Sequence, residues 1–289
     1  MVKNIRTLEI ESGDIENLDS LEYLHLMELE NFVNSYLEEE CDDDSSCIYF
    51  DHEDGKVVSL SLVSCRLSSV PQVVWKFPML KDLDLDRNAL ETIPEPIEDL
   101  KFLEVLSISD NKLIIFPEPM TRVTSLQNIN LAHNNIVSIP SSINNLKHLT
   151  HLALNDNRIE TLPESIGGLK SLKTFYLDDN KLNYLPVSFG NLKDLKETSI
   201  RNNQLKTIPA TIGNLKKMSY FDLANNRLEQ LPPEIGELES LRSFGLDGNK
   251  LKELPSSIAN LKSLRKIQLK GNPLESIPDA LIKNSVSVV

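Results

Sequence analysis

From residue 57 onward, apolar and polar positions follow a pattern that returns every 23 residues. One unit reads Leu149-x-x-Leu152-x-Leu154-x-x-Asn157-x-Ile159-x-x-Leu162-Pro163-x-x-Ile166-x-x-Leu169. Asparagine recurs in this register from Asn88 to Asn272, and proline from Pro71 to Pro278. Nine units obey it, and a degenerate tenth precedes them with Val57, Leu60, Leu62, Cys65, Leu67, Val70 and Pro71. The Leu-x-Leu step has a period of two, so Leu152 and Leu154 point inward from one short strand. So short a unit cannot bury its apolar face alone; stacked neighbours bury it for one another, with strands in parallel. The asparagine sits where the chain leaves the strand and can bond backbone groups left unpaired at the bend, which predicts a ladder. The Leu-Pro step ends the strand and sets an extended or short 3₁₀ path behind it. Thr198 takes an inward strand position, where it either bonds a neighbouring carbonyl or marks local loosening.

The flanks differ. Leu26, Leu29, Phe32, Val33, Tyr36 and Leu37 recur at helical spacing, predicting a helix over about 19–40 that covers the end of the core. Cys47-Ile48-Tyr49-Phe50, then Asp54-Gly55, then Val57 to Leu60 reads as a β-hairpin, with its first strand at 47–50. Residues 1–18 fit half a repeat as well as a disordered or helical lead-in, and that choice stays open. At the far end only seven residues follow Ile282. Either that tail covers the last repeat or the repeat packs against a second molecule. The expected organisation is an acidic cap over 1–55 and ten repeats over 56–289.

The repeat resembles the leucine-rich-repeat family, in its 23-residue Leu-Pro-x-x-Ile-x-x-Leu class of cytosolic, prokaryotic and Ras-pathway scaffold proteins. The resemblance covers residues 57–282. It implies an α/β solenoid, a horseshoe with a parallel concave β-sheet, here with an N-terminal helix and hairpin as cap. It implies an architecture and not a partner.

Charge sharpens the picture. The net charge of −13 is concentrated at the N-terminus, where residues 1–55 hold 17 acids against Lys3 and Arg6. The remainder is nearly neutral, so no basic excess invites nucleic acid. No apolar run is long enough for a membrane span, the first residues lack the core of a signal peptide, and Cys41, Cys47 and Cys65 fit free thiols in a reducing compartment. A cytoplasmic protein is the expectation. The run from Glu38 to Asp44 lacks the spacing and glycine of a calcium loop. His133 and His151 fall on the order of 16 Å apart, too far for one metal ion. Asp156 and Asp179 pair in one column, a pair that nearby Lys or Arg should ease. No phosphate loop, nucleophile motif or metal motif appears, so neither an enzyme nor a cofactor is expected.

The outward strand positions of each unit are the third, fifth, seventh and eighth, which form four columns across the sheet. These columns hold ten acids and four bases, acidic from the early repeats to the middle and basic at Lys266 and Lys270. Tyr176 and Tyr220 stand near the centre, where rigid tyrosine gives contact area at low entropic cost. The expected site is Asn130, His151, Asn155, Tyr176, Asp178, Arg201, Tyr220 and Asp222. The expected function is a scaffold that binds a protein or peptide there, a basic one being one candidate. The alternative is a structural module that self-assembles end to end, acidic cap to basic end. A monomer and a weak end-to-end dimer both remain open.

Overall fold

The computed structural model describes residues 17–37, 48–279, 281 and 286–289. Helix α1 (Ser20–Leu37) comes first among these. The expected helix residues 38–40 lie outside the described residues, as do 1–16. Asp19 caps α1, its Oδ1 accepting the Leu21 N–H at 2.9 Å while its Oδ2 accepts Lys56 Nζ at 3.1 Å. Leu26, Leu29 and Val33 are buried against the first repeat. The buried Glu22 also turns back, accepting the Val57 N–H at 3.4 Å, so the helix is tied to the hairpin as well as packed on it.

The hairpin pairs β1 (Tyr49–Glu53) with β2 (Lys56–Ser61) in antiparallel. Its first strand therefore starts later than 47–50 and runs through Asp51, His52 and Glu53 up to the turn. Backbone pairing carries it there without apolar alternation, with a bulge between Asp51 and His52. Asp54 and Gly55 have φ of 49° and 77°, both left-handed, as a two-residue hairpin turn requires.

Nine strands follow, from β3 (Asp82–Asp84) to β11 (Lys266–Gln268), each parallel to the last and in unbroken register. Each has only three residues, the third to fifth of its unit. After each Leu-Pro or equivalent step from Pro71 to Pro255, the proline carbonyl accepts an N–H three residues on, as Pro163 O does from Ile166 at 3.0 Å, and a 3₁₀ turn follows. Gly167, Gly190, Gly213 and Gly236 let these turns approach. A Cβ on Gly190 would lie 2.1 Å from the Thr211 carbonyl oxygen.

The asparagines form the expected ladder. Asn180 donates from Nδ2 to the carbonyls of Leu154, Leu177 and Asp178 and accepts the Ile159 N–H at 2.9 Å. Thr198 is fully buried and donates to the Phe175 carbonyl at 2.7 Å. It pairs between Phe175 and Phe221, so two large rings flank the small residue and fill its layer.

At the far end, β12 (Ser287–Val288) pairs in parallel with β11. Val289 accepts from Leu269 N at 2.9 Å, and Leu281 and Val286 are buried in the core. Of the two fates expected for the last repeat, its own tail covers it. The core is continuous from Leu26 to Val286.

Cys65 corrects the free-thiol expectation: it is disulfide-bonded. Cys41 and Cys47 lie outside the described residues. Among the described residues no repeat precedes the first unit, so its position nine has none to lace with an asparagine.

Candidate functional site

Because strands stop at the fifth position, the seventh and eighth columns lie beyond them, at the bend. The eighth is left-handed throughout, with φ of 54° at His133, 52° at Asp156, 55° at Asp179 and 52° at Asn202. It is a turn column and not a strand column, which explains its Asp, Asn and Gly. Its members bond each other. His133 Nδ1 lies 3.3 Å from Asp156 Oδ2, Asn202 donates to Asp179 at 2.8 Å, and Asn225 donates to Asn202 at 2.8 Å. Asp179 thus meets an amide and Asp156 a histidine ring nitrogen, and no Lys or Arg among the described residues pairs with either.

Backbone chemistry then claims much of the concave charge. The ladder between strands uses the N–H groups of positions six and eight, as Leu154 N to Tyr176 O and Asp156 N to Asp178 O show. The N–H of position seven faces the concave side and needs another acceptor. In some repeats the fifth residue of the same unit supplies it. Asp84, Asn130 and Asp222 accept from Asp86, Ala132 and Ala224 at 3.0, 3.1 and 2.9 Å. In others the seventh residue of the preceding unit does so. Asn155, Asp178 and Asp247 accept from Asp178, Arg201 and Lys270 at 3.1, 2.7 and 2.8 Å.

Five of the eight expected site residues meet around β8 (Glu197–Ser199) and β9 (Tyr220–Asp222). Asp222 is only 3% exposed. Its Oδ2 accepts from Tyr220 Oη at 3.0 Å and lies 3.4 Å from Arg201 Nη1. Its carboxylate leans over Gly245, where a Cβ would stand 2.2 Å from Oδ1. Asp178 accepts Ser199 Oγ at 2.6 Å. Burial, reinforced by Asp222, raises the Asp178 pKa against these hydrogen bonds. Burial and then Asp222 push Tyr220 up to about 12, so it stays a donor. Tyr176 is half-buried and its hydroxyl reaches Glu197 Oε2 at 3.5 Å.

The other three stand apart. Asn130 donates to Ser107 Oγ at 3.1 Å. His151 is exposed, with Nδ1 2.7 Å from Thr150 Oγ1 and 3.1 Å from Asn128 Oδ1. Asn155 reaches the cluster only through the Asp178 N–H. Sequence reasoning passed over Ser199 and Glu197. The signal for Ser199 was available, since a small hydroxyl at position five follows an acid at position seven here and again at Ser107 after Asp86, where Ser107 Oγ donates to Asp86 at 2.7 Å. Towards the N-terminal end, burial raises the pKa of Asp82 and Asp84, and no donor among the described residues reaches the Asp82 carboxylate.

Among the described residues, no group of three or more His, Cys, Asp or Glu gathers as a metal site, and no helix is long and apolar enough to cross a membrane.

The family model "Leucine-rich repeat region" matches residues 117–210 and 202–288, and the model "Leucine rich repeat" matches 56–113. No curated protein matches the chain. Among solved structures, a leucine-rich-repeat protein of Leptospira interrogans aligns with a TM-score of 0.74 and 34% identity, over 78% of this chain and 58% of that one. A TDR receptor aligns with a TM-score of 0.74 and 32% identity, over 81% and 42%. The plant peptide hormone receptor RGFR1, in complex with RGF2, aligns with a TM-score of 0.69 and 27% identity, over 76% and 37%. The chain therefore spans well under two thirds of each of these proteins.

Proposed function

The chain belongs to the leucine-rich-repeat family, and from that premise we propose that it is a protein-binding scaffold whose concave face receives an extended protein or peptide partner. The observation that carries this reading is the uncovered face itself. Among the described residues, no element packs over strands β3 to β11, and Tyr176 and Tyr220 lie half-buried on that face beside charged groups whose hydrogen bonds hold them in place. A preorganised surface meets its partner with little ordering cost. A similar fold in RGFR1 is found in complex with RGF2, which supports a peptide-sized partner. The contact set is Asn130, His151, Asn155, Tyr176, Asp178, Arg201, Tyr220 and Asp222, with Asp222 acting mainly to hold Tyr220 and Arg201.

Charge gives the partner a direction. Asp82 and Asp84 are half-buried carboxylates; among the described residues Arg87 bears on Asp84 and no cation on Asp82, so a basic group there relieves them. Lys266 and Lys270 are exposed at the other end. The probe is a labelled peptide of about 13 residues, able to follow a track of ~45 Å at ~3.4 Å per residue. It carries lysines at one end and glutamates at the other. Binding is expected in wild type and is expected to weaken about tenfold in His151→Ala with Tyr176→Ala, at an unchanged melting temperature. Equal binding by wild type and variant would remove the concave face from the reading.

The proposed location is the cytoplasm, where thiols are kept reduced, and the disulfide at Cys65 puts that proposal at risk. In the cytoplasm the bond would be open, so alkylation under denaturing conditions, applied directly to lysed source cells, should label Cys65. A disulfide surviving at Cys65 would place the protein in an oxidising compartment.

A further inference from the structure

The repeat supplies its own control for surface composition. Position twelve, three residues after the ladder asparagine, lies on the rim where the chain leaves the bend for the convex side. It is Glu, Lys or Asn in seven units, from Glu91 to Glu275, and aliphatic only at Ile114 and Val137. Ile115 adjoins them. Ile114, Ile115 and Val137 are 56%, 57% and 42% exposed. The Val137 N–H donates to the Ile114 carbonyl at 3.1 Å, so the three side chains rise from directly bonded backbone. The core gains nothing from them, because Leu113, Phe116, Ile136 and Ile139 already fill the inward positions. Scattered exposed aliphatics need no explanation; three together, at positions that are otherwise polar, do.

The surroundings specify the occupant. Glu91 and Glu160 hold the same position one unit before and one unit after the patch; both are exposed, and neither is ion-paired among the described residues. Lys112 and Arg158, also exposed and unpaired among the described residues, border the side nearer the bend. An apolar centre ringed by free charge is the anatomy of a binding hot spot. We propose that this rim is a second docking surface, independent of the concave face, for a protein segment that lays aliphatic side chains on Ile114, Ile115 and Val137 and sets a Lys or Arg against Glu91 and another against Glu160. Three repeat steps of ~4.8 Å separate those glutamates by about 15 Å, the rise of about ten helical residues. An amphipathic helix of about three turns, with a leucine stripe and a basic residue near each end, fits. Since the rim and the concave face are separate surfaces, one scaffold can hold two partners at once.

The test uses the full chain and a labelled alanine–leucine helix of about 14 residues, with leucines on one stripe and lysines ten residues apart. Fluorescence anisotropy should show binding that falls at least about tenfold in the Ile114→Ser, Ile115→Ser, Val137→Ser variant, whose substitutions are all on the surface. Glu91→Lys with Glu160→Lys should lose the lysine-ended peptide and gain one ended with glutamates. His151→Ala with Tyr176→Ala should leave this binding unchanged, which separates it from the concave reading. Equal affinity of wild type and the serine variant would overturn the proposal. So would dimerisation of the protein alone in analytical ultracentrifugation that the serine variant abolishes, since the occupant would then be a second copy.

Discussion

A carboxylate on an open sheet face is ordinarily solvated, yet Asp222 is buried, Asp178 is half-buried, and each accepts a backbone N–H. The acids of the face are therefore less free to meet a partner than their number suggests, because several serve first as acceptors for position-seven amides while keeping their charge. Asp178 separates the two roles. Its raised pKa, caused first by burial, means that the fold disfavours its charge. That destabilisation is full at neutral pH and fades as the pH falls through the raised folded value toward the unfolded one. Asp178→Asn keeps an acceptor for Ser199 Oγ and the Arg201 N–H while removing the charge. Chemical denaturation is expected to show it more stable than wild type at pH 7, with the advantage shrinking on acidification. A variant less stable at pH 7 would mean that attraction to Arg201 outweighs burial. The same logic bears on Asp82 and Asp84: a cationic partner lowers their pKa values, so its binding should tighten as the pH rises through the carboxylate range.

At the scale of the element, each coil is held to the next by its asparagine and by the close approach of its 3₁₀ turn. Asn180→Ala leaves the buried Leu154 carbonyl and Ile159 N–H short of a partner, which should cost about 2 to 4 kcal/mol in urea unfolding. A loss below about 1 kcal/mol would mean that water or a shifted neighbour replaces the amide. Gly190→Ala tests the other side, since its Cβ meets backbone rather than a movable side chain. It should cost about 1 to 3 kcal/mol. These features were legible in different degrees. The asparagine ladder, the parallel stacking and the Leu-Pro stop follow from spacing alone, because a 23-residue unit has few ways to bury Leu152 and Leu154. The hairpin turn at Asp54-Gly55 was legible for its φ demands, while the strand before it was placed too early, because backbone pairing carries no side-chain signature. The same limit hid the three-residue strands. The outward residues at positions seven and eight were read as sheet, and only the left-handed φ of the eighth reveals a bend. Within the candidate site, Tyr176, Asp178, Arg201, Tyr220 and Asp222 lie together because columns in register are neighbours. That Asp222 is buried was not legible, since it depends on the absent side chain at Gly245 one coil away.

A solenoid has two ends where stacking stops, and the stability of the whole depends on covering them. One end carries α1, fastened by Asp19 and Glu22 as well as by apolar contact. The other carries a strand of two residues, held, among the described residues, by a few backbone hydrogen bonds, the burial of Leu281 and Val286 and the packing of Val288. The two covers are unequal, so unfolding should begin where the lighter one lies and spread toward the middle coils, where each unit is packed on both sides. Val286→Asp with Val288→Asp puts charge into that cover, where Val286 is buried and Val288 pairs with Ile267 and packs on the core. The variant should show two consequences together: faster amide hydrogen exchange in β11, with β6 (His151–Ala153) protected as before, and concentration-dependent association through the exposed edge. Faster exchange spread evenly from β3 to β11 would mean that the coils unfold as one cooperative body and that the tail contributes no local seal.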